Sequence, residues 1–252
     1  MIPPSDLDKW FVCPQPQNWA DRRLFFFPYA GGGPTAFSKW CLELPDSVEG
    51  WVAHYPGRGS RHNEPPITIL PALIENLSRA MHLILNKPFA FFGHSFGGLA
   101  AFELARQLRR KNLPQPNILF VSACGAPHIS DPYLPIHALP EFEFMYELKQ
   151  LNGIPPEILQ VPEAMKLLLP AVRADFEAIE TYHYQDEAPL ECPVVAFGGL
   201  HDSRVSRERL EGWAEHTTSG YTSQYFPGGH FFINTERDAV IESMIREFNS
   251  PA

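Results

Sequence analysis

The pentapeptide Gly93-His94-Ser95-Phe96-Gly97 constrains this chain more than any other feature, because its flanks say where it sits. Phe89-Ala90-Phe91-Phe92 before it is a short continuous apolar run, the pattern of a strand buried on both faces. Leu99-Ala100-Ala101-Phe102-Glu103-Leu104 after it opens a helical pattern that ends in cationic residues, which suit a helix C-terminus. A serine on such a sharp strand-to-helix turn holds its hydroxyl above the end of a sheet, and the flanking glycines remove Cβ atoms the turn has no room for. An ordinary glycine-rich turn is the competing reading, and the strand and helix on either side speak against it.

The rest of the chain repeats the same alternation. Apolar runs predict strands over 24–27, 51–55, 118–121 and 194–197, with a polar-apolar strand nearer an edge at 221–226. Trp10-Phe11-Val12 offers one more edge strand. Three-to-four spacing predicts helices over 35–44, 69–85, 96–110 and 236–248. Strands and helices in turn imply a single α/β domain with a mainly parallel sheet flanked by helices, the α/β-hydrolase fold in view of the serine turn. The alternation breaks between about 128 and 188, where only helical patterns occur: one over 141–151, and an apolar stripe of Met165, Leu168, Leu169, Val172, Phe176 and Ile179. An insertion there sits at the C-terminal edge of the sheet, where ligands bind, and is expected to be a lid; a longer packed helix pair is the alternative.

A net charge of -9 argues against a nucleic-acid partner, and leaves any dock for an acidic protein to local charge. Cys13, Cys41, Cys124 and Cys192 are far apart in sequence, so buried free thiols are expected rather than a disulfide framework or a zinc site. The N-terminus has no basic region followed by an apolar run, and no apolar stretch approaches a membrane span. A cytoplasmic monomer without metal or cofactor is expected.

A serine hydroxyl is a weak nucleophile until a base takes its proton. His230, in Pro227-Gly228-Gly229-His230-Phe231-Phe232 between the last strand and the last helix, is placed to be that base. The orienting carboxylate is expected from Asp202, just past the 194–197 strand, with Asp131 as the alternative. His94 and His201 are read as packing or local hydrogen-bonding residues. The developing oxyanion needs backbone donors: the amide of Phe96, which begins a helix, and one from Pro28-Tyr29-Ala30-Gly31-Gly32-Gly33, with Ala30 first and Tyr29 second. That glycine run lacks the Gly-Lys-Ser/Thr of a phosphate loop.

In combination and in order, several segments resemble the type II thioesterases, the free-standing editing enzymes that accompany non-ribosomal peptide and polyketide synthetases. They are Phe27-Pro28-Tyr29-Ala30-Gly31-Gly32-Gly33, Tyr55-Pro56-Gly57-Arg58-Gly59-Ser60-Arg61, the Ser95 turn through Gly98, Leu169-Pro170-Ala171-Val172-Arg173-Ala174-Asp175-Phe176, Asp202, and Gly229-His230-Phe231-Phe232. The resemblance implies hydrolysis of acyl or aminoacyl groups from the phosphopantetheine thiol of acyl or peptidyl carrier domains, the arm being part of the substrate and not a cofactor. It implies Ser95, Asp202 and His230 as the triad, Ala30 and Phe96 as oxyanion donors, and a flexible helical lid. Leu168 and Phe176 are then expected to face the acyl group or the arm. A medium-chain acyl thioesterase, a small-ester hydrolase, and a non-catalytic carrier-binding scaffold are the alternatives.

Overall fold

The computed structural model describes residues 6–151, 153–154 and 160–249. The absence of a leader read from the first residues, and part of the helical insertion at 152 and 155–159, fall outside them.

Seven strands form one sheet in the order β1-β3-β2-β4-β5-β6-β7. They are β1 (Phe11–Val12), β2 (Arg22–Phe27), β3 (Val48–Ala53), β4 (Phe89–His94), β5 (Ile118–Ser122), β6 (Val194–Gly199) and β7 (Tyr221–Phe226). All neighbours are parallel except β1, which pairs antiparallel with β3 at one edge. The phenylalanine-rich strands alternate sides as a pleat requires. Phe25, Phe27, Phe89 and Phe91 enter the core under helices α3 (Leu70–Met81) and α4 (Phe96–Arg110). Leu24, Phe26, Phe92, Phe120 and Phe197 enter the core on the opposite face, with Phe37 and Trp40. Edge-to-face aromatic pairs tie adjacent strands, with centroids 5.0 Å apart for Phe27 and Phe91 and 5.8 Å for Phe25 and Phe89. A sheet covered on both faces is why its strands read as unbroken apolar runs.

Three elements differ most from the sequence expectation. β3 starts at Val48, because the charge of Glu49 is buried against Arg23 (3.0 Å) and the Trp51 indole N–H (2.9 Å), and Gly50 packs on Cys41. It also ends before His54, whose amide donates to Trp10 O at 2.8 Å. The helix expected over 35–44 is a short 3-10 turn, Pro34–Ala36, followed by α2 (Ser38–Leu42). α3 stops at Met81 and tightens into a 3-10 turn at His82–Ile84.

Between β5 and β6 the described residues hold two substantial helices, α5 (Glu141–Gln150) and α6 (Pro162–Glu180). They form a small apolar cluster of their own around Phe144, Leu148 and Val172. The last two helices are α7 (Arg207–Glu211) and α8 (Arg237–Asn249). None of the described helices is long and apolar enough to cross a membrane.

Candidate active site

Four loops at the C-terminal ends of β2, β4, β6 and β7 converge, the place where this kind of sheet presents ligand-binding groups. Ser95 closes β4 with φ 54° and ψ -117°, a conformation strained for any residue with a side chain. The chain tolerates it because its flanks are bare: a Cβ on Gly93 would lie 2.0 Å from Gly97 O, and one on Gly97 would lie 1.9 Å from Phe27 O. The Ser95 amide is pinned to Ser122 O of β5 at 2.7 Å.

His230, on the loop after β7, places Nε2 3.0 Å from Ser95 Oγ and Nδ1 3.0 Å from Asp202 Oδ2. A proton on Nδ1 leaves Nε2 as the acceptor facing the serine hydroxyl. Asp202 is itself held: its Oδ1 accepts from the amides of Arg204 (2.8 Å) and Val205 (3.2 Å), and its side chain is buried. Asp131, the alternative acid, is exposed and turned to Arg209 at 3.2 Å. His201 is exposed. His94 is fully buried, with Nδ1 2.9 Å from Ser122 Oγ, and packs against Tyr29, His230, Phe231 and Phe232. Burial first, and the neighbouring His230 second, push it well below the usual histidine range.

Two amides of the loop after β2 are committed. Gly32 N–H donates to Tyr29 O (2.8 Å), and Gly31 N–H donates to Asp175 Oδ2 (2.7 Å). The amides of Ala30 and Phe96 have no described acceptor. Phe96 also stands at the positive end of α4.

Asp175 lies on α6 and makes a bidentate ion pair with Arg58, at 2.6 and 2.8 Å, with both side chains almost fully buried. Arg58 also donates to Gly32 O at 3.1 Å. Gly31 adopts φ +76°, and a Cβ there would come within 2.5 Å of Val172 on the same helix. Neither Arg58 nor Asp175 has a task that its own segment reveals. The available signal was Asp175 itself, three and four residues from buried Val172 and Ala171, where a charge requires a partner.

A cavity of about 790 Å³ opens above Ser95. Tyr29, Ala30, Phe96, Leu168, Phe176 and His230 line it, as do Leu148, Val172 and Ile179; Asp202 stands behind His230, outside the lining. Cys124 also faces it, but burial pushes its thiol up to about 12, so no thiolate competes with Ser95 near neutral pH. Cys41, Cys124 and Cys192 are buried and Cys13 half-buried, all as free thiols.

A twisted, mostly parallel sheet with Ser95 on a strained strand-to-helix turn and His230 over it defines an α/β-hydrolase. The thioesterase domain model matches residues 22–248. The chain therefore belongs to the thioesterase family, hydrolases that act on thioesters. The gramicidin S biosynthesis protein GrsT of Aneurinibacillus migulanus is 41% identical over 243 residues, covering 96% of this chain and 95% of that protein. Among solved structures, the type II thioesterase BorB from the borrelidin biosynthetic cluster superposes with a TM-score of 0.89 at 31% identity, over 98% of this chain and 99% of that one. The thioesterase RedJ from the prodiginine pathway of Streptomyces coelicolor follows at 0.84 and 35%, over 89% of each chain.

Proposed function

We propose that this thioesterase removes acyl groups from the phosphopantetheine arm of carrier domains in a non-ribosomal peptide or polyketide synthetase, acting as an editing enzyme without a cofactor. The observation that carries it is a serine-histidine-aspartate array, 3.0 Å at each step, at the floor of a cavity walled by the helices between β5 and β6. His230 takes the proton of Ser95 as its oxygen attacks the thioester carbonyl, and Asp202 stabilises the imidazolium that forms. The free amides of Ala30 and Phe96 receive the oxyanion. The thiol leaves readily, its pKa being roughly 8.5, and water activated by His230 then cleaves the acyl-serine. The relatives in antibiotic pathways support the carrier as partner, since a carrier domain cannot enter a cavity of this size but its arm can.

The helices over 128–188 act as the lid in this scheme, with Leu168 and Phe176 against the acyl group. Phe176→Ala is expected to raise kcat/KM for bulky acyl groups relative to acetyl by roughly tenfold, the scale of a few methylenes in an apolar pocket. A panel of acyl-loaded carriers and matching acyl-coenzyme A thioesters, read by thiol release, tests both points. Preference for the carriers supports the proposal; equal or better turnover of coenzyme A or nitrophenyl esters turns it toward a general acyl thioesterase or esterase. An unchanged acyl profile in Phe176→Ala removes that residue from the acyl site.

A further inference from the structure

Besides His230, the charged side chains that line the cavity are few: Asp131, Glu180, Arg204 and Arg209 among the described residues. Both carboxylates are spent on protein donors. Glu180 accepts from the amides of Ile136 (2.8 Å) and His137 (2.9 Å) and from the His137 ring. Asp131 accepts from the Tyr133 amide (3.0 Å) and from Arg209 (3.2 Å). Arg204 has no acid partner among the described residues; its guanidinium carbon lies over the Tyr133 ring, 3.7 Å from the centroid. Arg209 is mostly buried, and its Nη1 donates to Arg204 O at 3.2 Å. Its Nε–H is fully buried with no acceptor among the described residues. Its guanidinium packs close against Gly125: a Cβ there would stand 3.0 Å from three of its atoms.

One cation without an acid partner therefore stands beside a second whose pairing is incomplete, in the lining of the same cavity that holds Ser95. In a chain of net charge -9 the lining is balanced, two arginines against two carboxylates that are already engaged. Arginine presents planar, charge-assisted donors that match the oxygens of an anion. We propose that Arg204, backed by Arg209, is an anion subsite that takes the phosphate of the phosphopantetheine arm, orienting the thioester toward Ser95. This rests on the arm-borne substrate proposed above. An acyl carboxylate offers the same chemistry from the other end of the substrate, and the test separates the two.

Acetyl-phosphopantetheine and acetyl-N-acetylcysteamine share the thioester, but only the first carries phosphate. Arg204→Gln is expected to lower the ratio of their kcat/KM values about tenfold, mainly through KM, as for loss of one charge-assisted contact. Arg204→Lys is expected to restore most of the ratio, and the wild-type preference is expected to shrink at high ionic strength. A ratio that does not move overturns the subsite. A loss confined to malonyl- over acetyl-N-acetylcysteamine reassigns the arginine to an acyl carboxylate and overturns the phosphate assignment. Calorimetric titration with phosphopantetheine against pantetheine checks the subsite without turnover, so failure of the thioesterase proposal is distinguishable from failure of this one. Equal affinity of the two for the wild type overturns it.

Discussion

Ser95→Ala is expected to reduce hydrolysis of acyl-carrier thioesters by roughly three to six orders of magnitude, the range found when the nucleophile of such an array is removed. His230→Ala should fall nearly as far, and the double variant little further, because base and nucleophile act as one unit at 3.0 Å separation. Asp202→Asn is expected to lose less, since its buried position still holds the loop while the imidazolium loses its counter-charge. Single-turnover thiol release measures all four. More than a few per cent of wild-type activity in Ser95→Ala would remove the assignment. The same position also carries an opposite expectation for stability. Serine at φ 54° is strained where glycine is not, so Ser95→Gly should abolish turnover while raising stability by about 1 kcal/mol. For a chain of this size that is an increase of roughly 2–4 °C in Tm, readable by calorimetry.

The second large effect is expected at Asp175. Asp175→Ala leaves Arg58 buried and unpaired, which costs about 3–5 kcal/mol in comparable cases, and leaves the Gly31 amide without its acceptor. Replacing both partners with apolar residues, Arg58→Met with Asp175→Leu, should recover much of the stability, because no lone charge remains. It should not recover turnover. With Gly31 N–H released, the neighbouring Ala30 amide loses its fixed aim at the oxyanion, and the loss of one such donor is worth roughly 10²–10³ in kcat. Denaturant unfolding and kcat on the same samples separate the two roles. A double variant that regains stability and full kcat would make the ion pair purely structural.

Much of this architecture was legible in the residues. Strands buried on both faces announce themselves as unbroken apolar runs, and each of the seven expected places holds a strand. The serine turn, the glycine-rich loops and a histidine after the last strand pointed to residues that the fold brings within 3.0 Å of one another. Local patterning failed where a tertiary partner rewrites a residue's meaning. Glu49 lies outside the apolar run at 51–55 and is a buried strand position, because Arg23 and Trp51 neutralise and cap it. Asp175 looked like one mark among several in its segment, and only its contact with Arg58, 117 residues away in sequence, gives it a task. Arg204 and Arg209 carried no pattern at all. Their meaning lies in which carboxylates around them are already engaged, and that is a property of three dimensions.

The contact between α6 and the glycine loop has a consequence for how such a chain can diversify. One helix supplies part of the cavity wall through Leu168, Val172 and Phe176, and through Asp175 it also sets the backbone beside the proposed oxyanion donor Ala30. Reshaping α6 to admit a new acyl group therefore puts catalytic competence at stake with every step. α5 and the 131–140 segment are tied to α6 but make no such bond to the loop after β2. New specificities are accordingly expected to accumulate there first, leaving α6 as the inherited part of the wall.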